Sequence, residues 1–221
     1  MILRKADSAA EGLPNGLQLG STGSRVRFSA GKPTVLEGVP TGKAAVAALT
    51  IIDVDSKQDA IDWVKRLPAR DVNEEIEIRE GGCPGGVPAV SRSKSSGAQS
   101  GVATRFIVML KADEKSEAGL VADQPRLAAM VRHNDASVKA GVMLAGEGLQ
   151  PSSRGARVKF SGGKPAVIDG PFAEAKELVA GFWLIQVTSQ DEAIEWVKRY
   201  PFPFDDGEVE IREVFEASRA D

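Results

Sequence analysis

Cysteine, histidine and tyrosine each occur once in this chain of 221 residues, and aromatic side chains make up only 5% of it. A lone Cys83 excludes an intrachain disulfide and any cysteine-built metal cluster. A lone His133 without thiol partners gives no ligand set for a metal centre, so neither a metal nor a cofactor is expected. Apolar runs are short: none reaches the roughly 20 residues that span a bilayer, and Met1-Ile2-Leu3-Arg4-Lys5 lacks the apolar core of a secretion signal. The expectation is a cytoplasmic protein with no membrane partner. Neither sign of charge dominates, with 28 basic against 31 acidic residues and a net charge of -3. That balance offers nucleic acid no general attraction, so direct binding to it is not expected.

What the chain does have is internal repetition. Residues 16–40 align without gaps to 148–172, with 14 identities in 25 positions. Gly16-Leu17-Gln18 recurs as Gly148-Leu149-Gln150, and Gly31-Lys32-Pro33 as Gly163-Lys164-Pro165. Residues 56–68 match 189–201, and Glu77-Ile78-Arg79-Glu80 recurs as Glu210-Ile211-Arg212-Glu213. Self-similarity at a long period marks tandem units. The units are unequal: Met1–Asp7 resembles Ile107–Asp113 at an offset of 106 where the later matches run at 132, so 26 residues are missing from the first. Read in the second unit, the missing piece covers most of Glu114–Glu147, a whole helix and much of the next strand. Between the units, residues 81–102 are rich in Gly, Ser and Pro, the composition of a flexible linker, and Cys83 falls in it. The expected division is 1–80, a degenerate unit; 81–102, the linker; and 103–221, a complete unit.

The second unit reads in order. Arg105–Leu110 is a short apolar strand. Asp123 or Gln124 with Pro125 opens a helix that ends near Gly141. Residues 141–147 form a strand, and 157–168 an alternating hairpin around a glycine turn. Gly181–Val187 is a buried strand, and Ser189 to Glu192 has capping-box spacing before a helix with Ala193, Ile194, Val197 and Tyr200 on one face. Val209–Phe215 closes the unit as a strand. The order is βαβ, hairpin, βαβ, a ferredoxin-like plan with an inserted hairpin.

Between the hairpin and the buried strand lies Asp169-Gly170-Pro171-Phe172-Ala173-Glu174-Ala175-Lys176-Glu177. Its bland reading is a turn, with the carboxylate accepting from backbone N–H groups, Gly free in φ and Pro fixing the exit. These residues resemble the signature of the YCII-related family, in the branch named for its Asp-Gly-Pro-Phe motif. The resemblance covers about 104–217 fully and 1–80 partially. It implies an α+β fold of the dimeric α/β-barrel type, in which two ferredoxin-like units pair their sheets. Here one chain is expected to supply both units, the first lacking its first helix.

Candidate site residues follow from the motif and the helix before it. Asp169 could act as a general base or hold a ligand's donor if it lies beneath that helix. The first unit reads Glu37-Gly38-Val39-Pro40 there, so it is not expected to share the role. With Leu127 at zero, Val131, Val138, Met130 and Asn134 fall at about 40°, 20°, 300° and 340°, and His133 at about 240° beside Arg126 and Ser137. Asn134 therefore sits within an apolar stripe and either bonds internally or lines a polar pocket. Family relatives are described as using a His–Asp pair. The matching histidine position reads Met130 here, and the second acidic position reads Tyr200-Pro201-Phe202-Pro203. The acid–base pair available is Asp169 with His133 or Lys176. Met130, Asn134, Gly170, Pro171, Phe172 and Lys176 are the expected ligand-facing residues; Lys176, if the segment is extended, could meet an anion or guard a strand edge.

Three functions are weighed. One is a small-molecule binding or regulatory protein, for which the resemblance also permits a place in sigma-factor-type transcription control. Another is a cofactor-independent acid–base enzyme, such as a lyase or dehydrochlorinase, on a small polar substrate. The last is a structural module that dimerises through the apolar face the missing helix leaves bare.

Overall fold

The computed structural model describes residues 1–5, 13, 16–41, 45–67, 74–82, 103–120, 122–162 and 164–216. The first half contributes β1 (Ile2–Lys5), β2 (Leu17–Leu19), β3 (Ser24–Ser29), β4 (Lys32–Glu37), β5 (Val46–Thr50), α1 (Lys57–Lys65) and β6 (Glu74–Ile78). The second contributes β7 (Thr104–Lys111), α2 (Glu114–Glu117), α3 (Gln124–Lys139), β8 (Met143–Gly148), β9 (Ala156–Ser161) and β10 (Lys164–Asp169). It continues with β11 (Val179–Val187), α4 (Gln190–Arg199) and β12 (Gly207–Glu216). The fold is α+β, and every strand pair is antiparallel.

Sheet order explains the architecture. In the second half the strands run β12–β7–β11–β8, the ferredoxin-like arrangement. In the first they run β6–β1–β5–β2. Pairing of Leu17–Leu19 with Val214–Glu216 joins the two sets. On the other side Gly81 bridges Leu149, so the sheet curls until its ends meet. The hairpins exchange partners: β3 of the first half pairs with β12 of the second, and β9 of the second pairs with β6 of the first.

Strand alternation assigns each core to a face. Leu3, Ile107, Met109 and Phe182 point inside the curl, packed with Met1, Leu19, Val46, Leu49 and Val214. Their neighbours Phe106, Val108, Trp183 and Ile185 point outward, under α3 and α4. In the first half Ile2, Ile76 and Ile78 pack with Ala60, Ile61 and Val64 of α1 and with Val158 and Phe160 of the exchanged strand β9.

The expected helices and strands of the second half are present, with differences that have local causes. Asp123 caps α3 by accepting from the Arg126 N–H, and Pro125 lies in its first turn. Ser189 caps α4 by accepting from the Glu192 N–H, but the Glu192 carboxylate turns to the Thr188 N–H and hydroxyl instead of completing a capping box. The short helix α2 was not anticipated. Lys176 belongs to a 3₁₀ turn at Ala175–Glu177, so the extended alternation expected there does not occur.

Among the described residues no helix stands between β1 and β2. The apolar face expected to be bare there is nonetheless buried: Ile2, Ile61, Val64, Ile76 and Ile78 are all covered, with Leu13 and the strand β9 packed among them. These side chains have little exposed area, yet Ile2, Ala60 and Ile78 also line a cleft described below, so the face is not fully packed over. Of the expected linker, Gly81 and Gly82 belong to the seam of the curl; residues 83–102, including Cys83, lie outside the described residues.

Candidate ligand cleft

The Asp-Gly-Pro-Phe turn is built as an anchor. The Gly170–Pro171 peptide is cis, and a Cβ on Gly170 would collide with the Ser152 carbonyl oxygen, so the backbones approach as only glycine allows. Phe172 is buried; its N–H donates to Ser152 Oγ at 3.0 Å, and the Arg157 guanidinium stands 4.0 Å over its ring. Ser152 in turn donates to Glu117 from its N–H, at 3.0 Å, and from its hydroxyl. Glu117 takes Arg79 at 3.2 Å, Arg79 pairs with Glu77 at 3.3 Å, and Arg157 Nε donates to Glu77 at 3.2 Å. The circuit returns to Phe172 through Arg157. Asp169, by contrast, is exposed.

Charged groups also lie inside the curl, at two equivalent stations. Lys5 and Arg79 flank the fully buried Glu77 at 3.6 and 3.3 Å, and Lys111 and Arg212 flank the fully buried Glu210 at 2.9 and 3.3 Å. Arg157 and Lys159 hold Glu75 as Arg25 and Arg27 hold Glu208. Buried carboxylates require such partners. The stations differ in one respect: Arg79 reaches Glu117 and the Gln150 carbonyl, whereas Arg212 donates to the carbonyls of Leu19, Gly20 and Val46.

The expected site residues are not brought together. Asp169 does not lie beneath α3. The exchange of hairpins carries β10 to the first half, where Asp169 accepts from Lys57 of α1 at 2.7 Å. His133 packs edge-on against Trp196 and Tyr200, with ring centroids 5.5 and 5.1 Å away. Its pKa is held below the ordinary value, chiefly by burial and secondarily by Arg199. Asp169 and His133 are therefore separate, and the expected pair does not form. Asn134 is buried and accepts from the Tyr200 hydroxyl at 3.0 Å, while that hydroxyl accepts from Trp183 Nε1 at 2.9 Å. Asn134 thus has its internal partners rather than a pocket. Met130 packs on the same core. Pro171 and Lys176 are exposed.

The large cavity lies elsewhere, where the first half lacks a leading helix. Its volume is about 1120 Å³. Ile2, Ile52, Ala60, Ile78, Ala145 and Phe182 are among its apolar lining, and Ile51 and Val54, both exposed, form its lip. The strand positions explain the space. Ile2 sits between Thr50 and Ile78 as Val108 sits between Trp183 and Ile211, but there the second half has α3 and an indole. Polar groups line it as well: the exposed Asp53, Asp55, Lys57, Glu80 and Arg154, the half-buried Glu147 and the buried Arg79. Arg154 is bound by Glu80 through two hydrogen bonds of 2.7 and 2.6 Å. Asp169 reaches this cleft indirectly, by fixing Lys57. Of these groups only Asp169 was singled out from sequence; the repeated Glu-Ile-Arg-Glu was the available signal for Arg79. Among the described residues no three His, Cys, Asp or Glu side chains cluster to hold a metal, and no helix is long and apolar enough to cross a membrane.

Residues 104–218 match the model of the YCII-related domain. The chain is also 41% identical over 61 residues to an uncharacterised protein of Rhizobium meliloti (strain 1021), an alignment covering 28% of this chain and 49% of that protein. The chain thus spans about half the length of that relative.

Proposed function

This chain belongs to the YCII-related domain family, and from that footing we propose that it is a small-molecule-binding protein whose site is the cleft beside α1. The observation that carries the reading is the cavity of about 1120 Å³, lined by both apolar and charged side chains, as ligand sites are. We further propose that 1–80 is a shortened copy of 103–221, with 81–102 as connector, and that the two stand in for two subunits of a barrel. The matching strand orders, the exchanged hairpins and the two Lys–Glu–Arg stations support it. On this reading the shortening is what opens the cleft. The acid–base enzyme is disfavoured because Asp169 and His133 keep separate partners. A role in transcription control would run through the ligand.

The test is a thermal-shift screen of polar metabolites on the full chain and on Ile51→Trp, which places an indole across the exposed lip. A ligand at 100 times its Kd adds about 2.7 kcal/mol of stability, so hits raise Tm for the parent and not for the variant. Hits that raise both equally would show that the cleft is not the site.

A further inference from the structure

Resting on that reading of the cleft, we infer that its ligand is an organic cation, an ammonium group carried on an apolar body. The cavity makes the site; the placement of its charges sets the sign. Each basic side chain in the lining is already held by a carboxylate: Arg154 by Glu80, Lys57 by Asp169, and the buried Arg79 by both Glu77 and Glu117. An incoming anion would have to displace one of these, and for Arg79 it would have to break a buried pair. Asp53, Asp55 and Glu147 line the same cavity and, among the described residues, have no basic side chain within ion-pair distance. The amino group of Met1 stands near Glu147, donating to the Arg79 carbonyl; burial pushes its pKa down and so weakens it as a counter-charge. Asp53 and Asp55 are exposed and Glu147 is half-buried, so these carboxylates are open to an incoming cation.

The rest of the ligand is set by the apolar part of the lining. Ile51 and Val54 are exposed at the lip, and Ile2, Ile52 and Phe182 add apolar surface to the lining. Such a wall takes an aliphatic or aromatic body, while the charged end meets the mouth. Metal cations are a poor match, because these acids do not cluster with others as a ligand set.

Titration calorimetry with three probes sharing one body decides the matter: 3-phenylpropylammonium, 3-phenylpropanoate and 3-phenylpropanol. The expected order is ammonium tightest, at least tenfold tighter than the carboxylate, with the alcohol between. The triple change Asp53→Asn, Asp55→Asn and Glu147→Gln should remove that tenfold preference, with an unchanged circular dichroism spectrum and Tm showing that the fold survives. Carboxylate binding equal to or tighter than the ammonium, and blocked by Ile51→Trp, would overturn the inference while leaving the cleft as the site. Ammonium binding that Ile51→Trp does not weaken, or no binding by any probe, would overturn both readings.

Discussion

Arg157 stands over Phe172 with its guanidinium carbon 4.0 Å from the ring centroid, and the same guanidinium bonds to the buried Glu77 of the other half. One side chain therefore ties the Asp-Gly-Pro-Phe turn to the interior of the curl. Phe172→Leu keeps most of the volume and removes the ring face; it should cost about 1 kcal/mol, the size of a partly buried cation–π contact. Phe172→Ala should cost about 3 kcal/mol or more, since a buried aromatic is lost. Urea denaturation of both variants checks the difference.

The acid of the network and the acid of the turn should differ sharply in what they contribute. Glu77→Gln leaves Lys5, Arg79 and Arg157 short of a counter-charge inside the curl and should destabilise by about 3–5 kcal/mol. Asp169→Asn breaks a pair whose side chains are 41% and 68% exposed, and should cost no more than about 1 kcal/mol. Equal losses in the two variants would contradict the assignment of the anchor to Phe172 and Glu77 rather than to Asp169.

Gly170→Ala tests the close approach at the turn. Its new methyl would meet the Ser152 carbonyl, which is backbone and cannot rotate away. The expected loss is about 3 kcal/mol, at the upper end of overpacking costs. In the first half Gly38 has open space around it and a positive φ of 80°, so Gly38→Ala should cost only about 1 kcal/mol, from backbone strain alone.

His133 gives the chain a defined response to acid. Burial, then Arg199, hold its pKa below 6.5 in the folded state, so as pH falls the unfolded chain takes up a proton first. Its contribution is complete above about 6.5 and is lost as pH falls from there towards the folded-state value, with a slope of at most about 1.4 kcal/mol per pH unit. His133→Gln should flatten that segment of the stability–pH curve, as read by thermal melts between pH 5 and pH 7.5.

Cutting the chain tests the proposed duplication. A fragment of 103–221 retains β9 and β10 but not β6, the strand that β9 pairs with. It should therefore dimerise, each copy giving its hairpin to the other, whereas the intact chain satisfies that pairing internally. Light scattering after size exclusion would distinguish the two; a monomeric fragment with native-like circular dichroism would count against the proposal.

Element types were largely legible in the sequence because each is written locally. Asp123 with Pro125 starts α3, and alternation around Ser161 and Gly162 marks β9 and β10. Partner choice was not legible. Both last strands carry Glu-Ile-Arg-Glu, and both hairpins carry the same alternation, so local pattern cannot say which hairpin lies on which strand. The site failed for the same reason. Asp169 is singled out by its motif, but its partner Lys57 is 112 residues away, and the Arg79–Glu117 link joins the two halves across the seam. Asn134 was placed on the inner stripe of its helix, where it proves to serve the Tyr200 hydroxyl.

The curl is fastened unequally. Three residue pairs hold β2 to β12, while the opposite seam has a single bridge at Gly81 and Leu149, reinforced by backbone bonds from Gly82 to Gly148 and from Gln150 to Glu80. Deuterium should accordingly enter the amides of Gly82 and Gln150 well before those of Leu19 and Val214. That seam borders the cleft at Gly81 and Glu147, so early exchange there would mark an opening of the curl beside the proposed site.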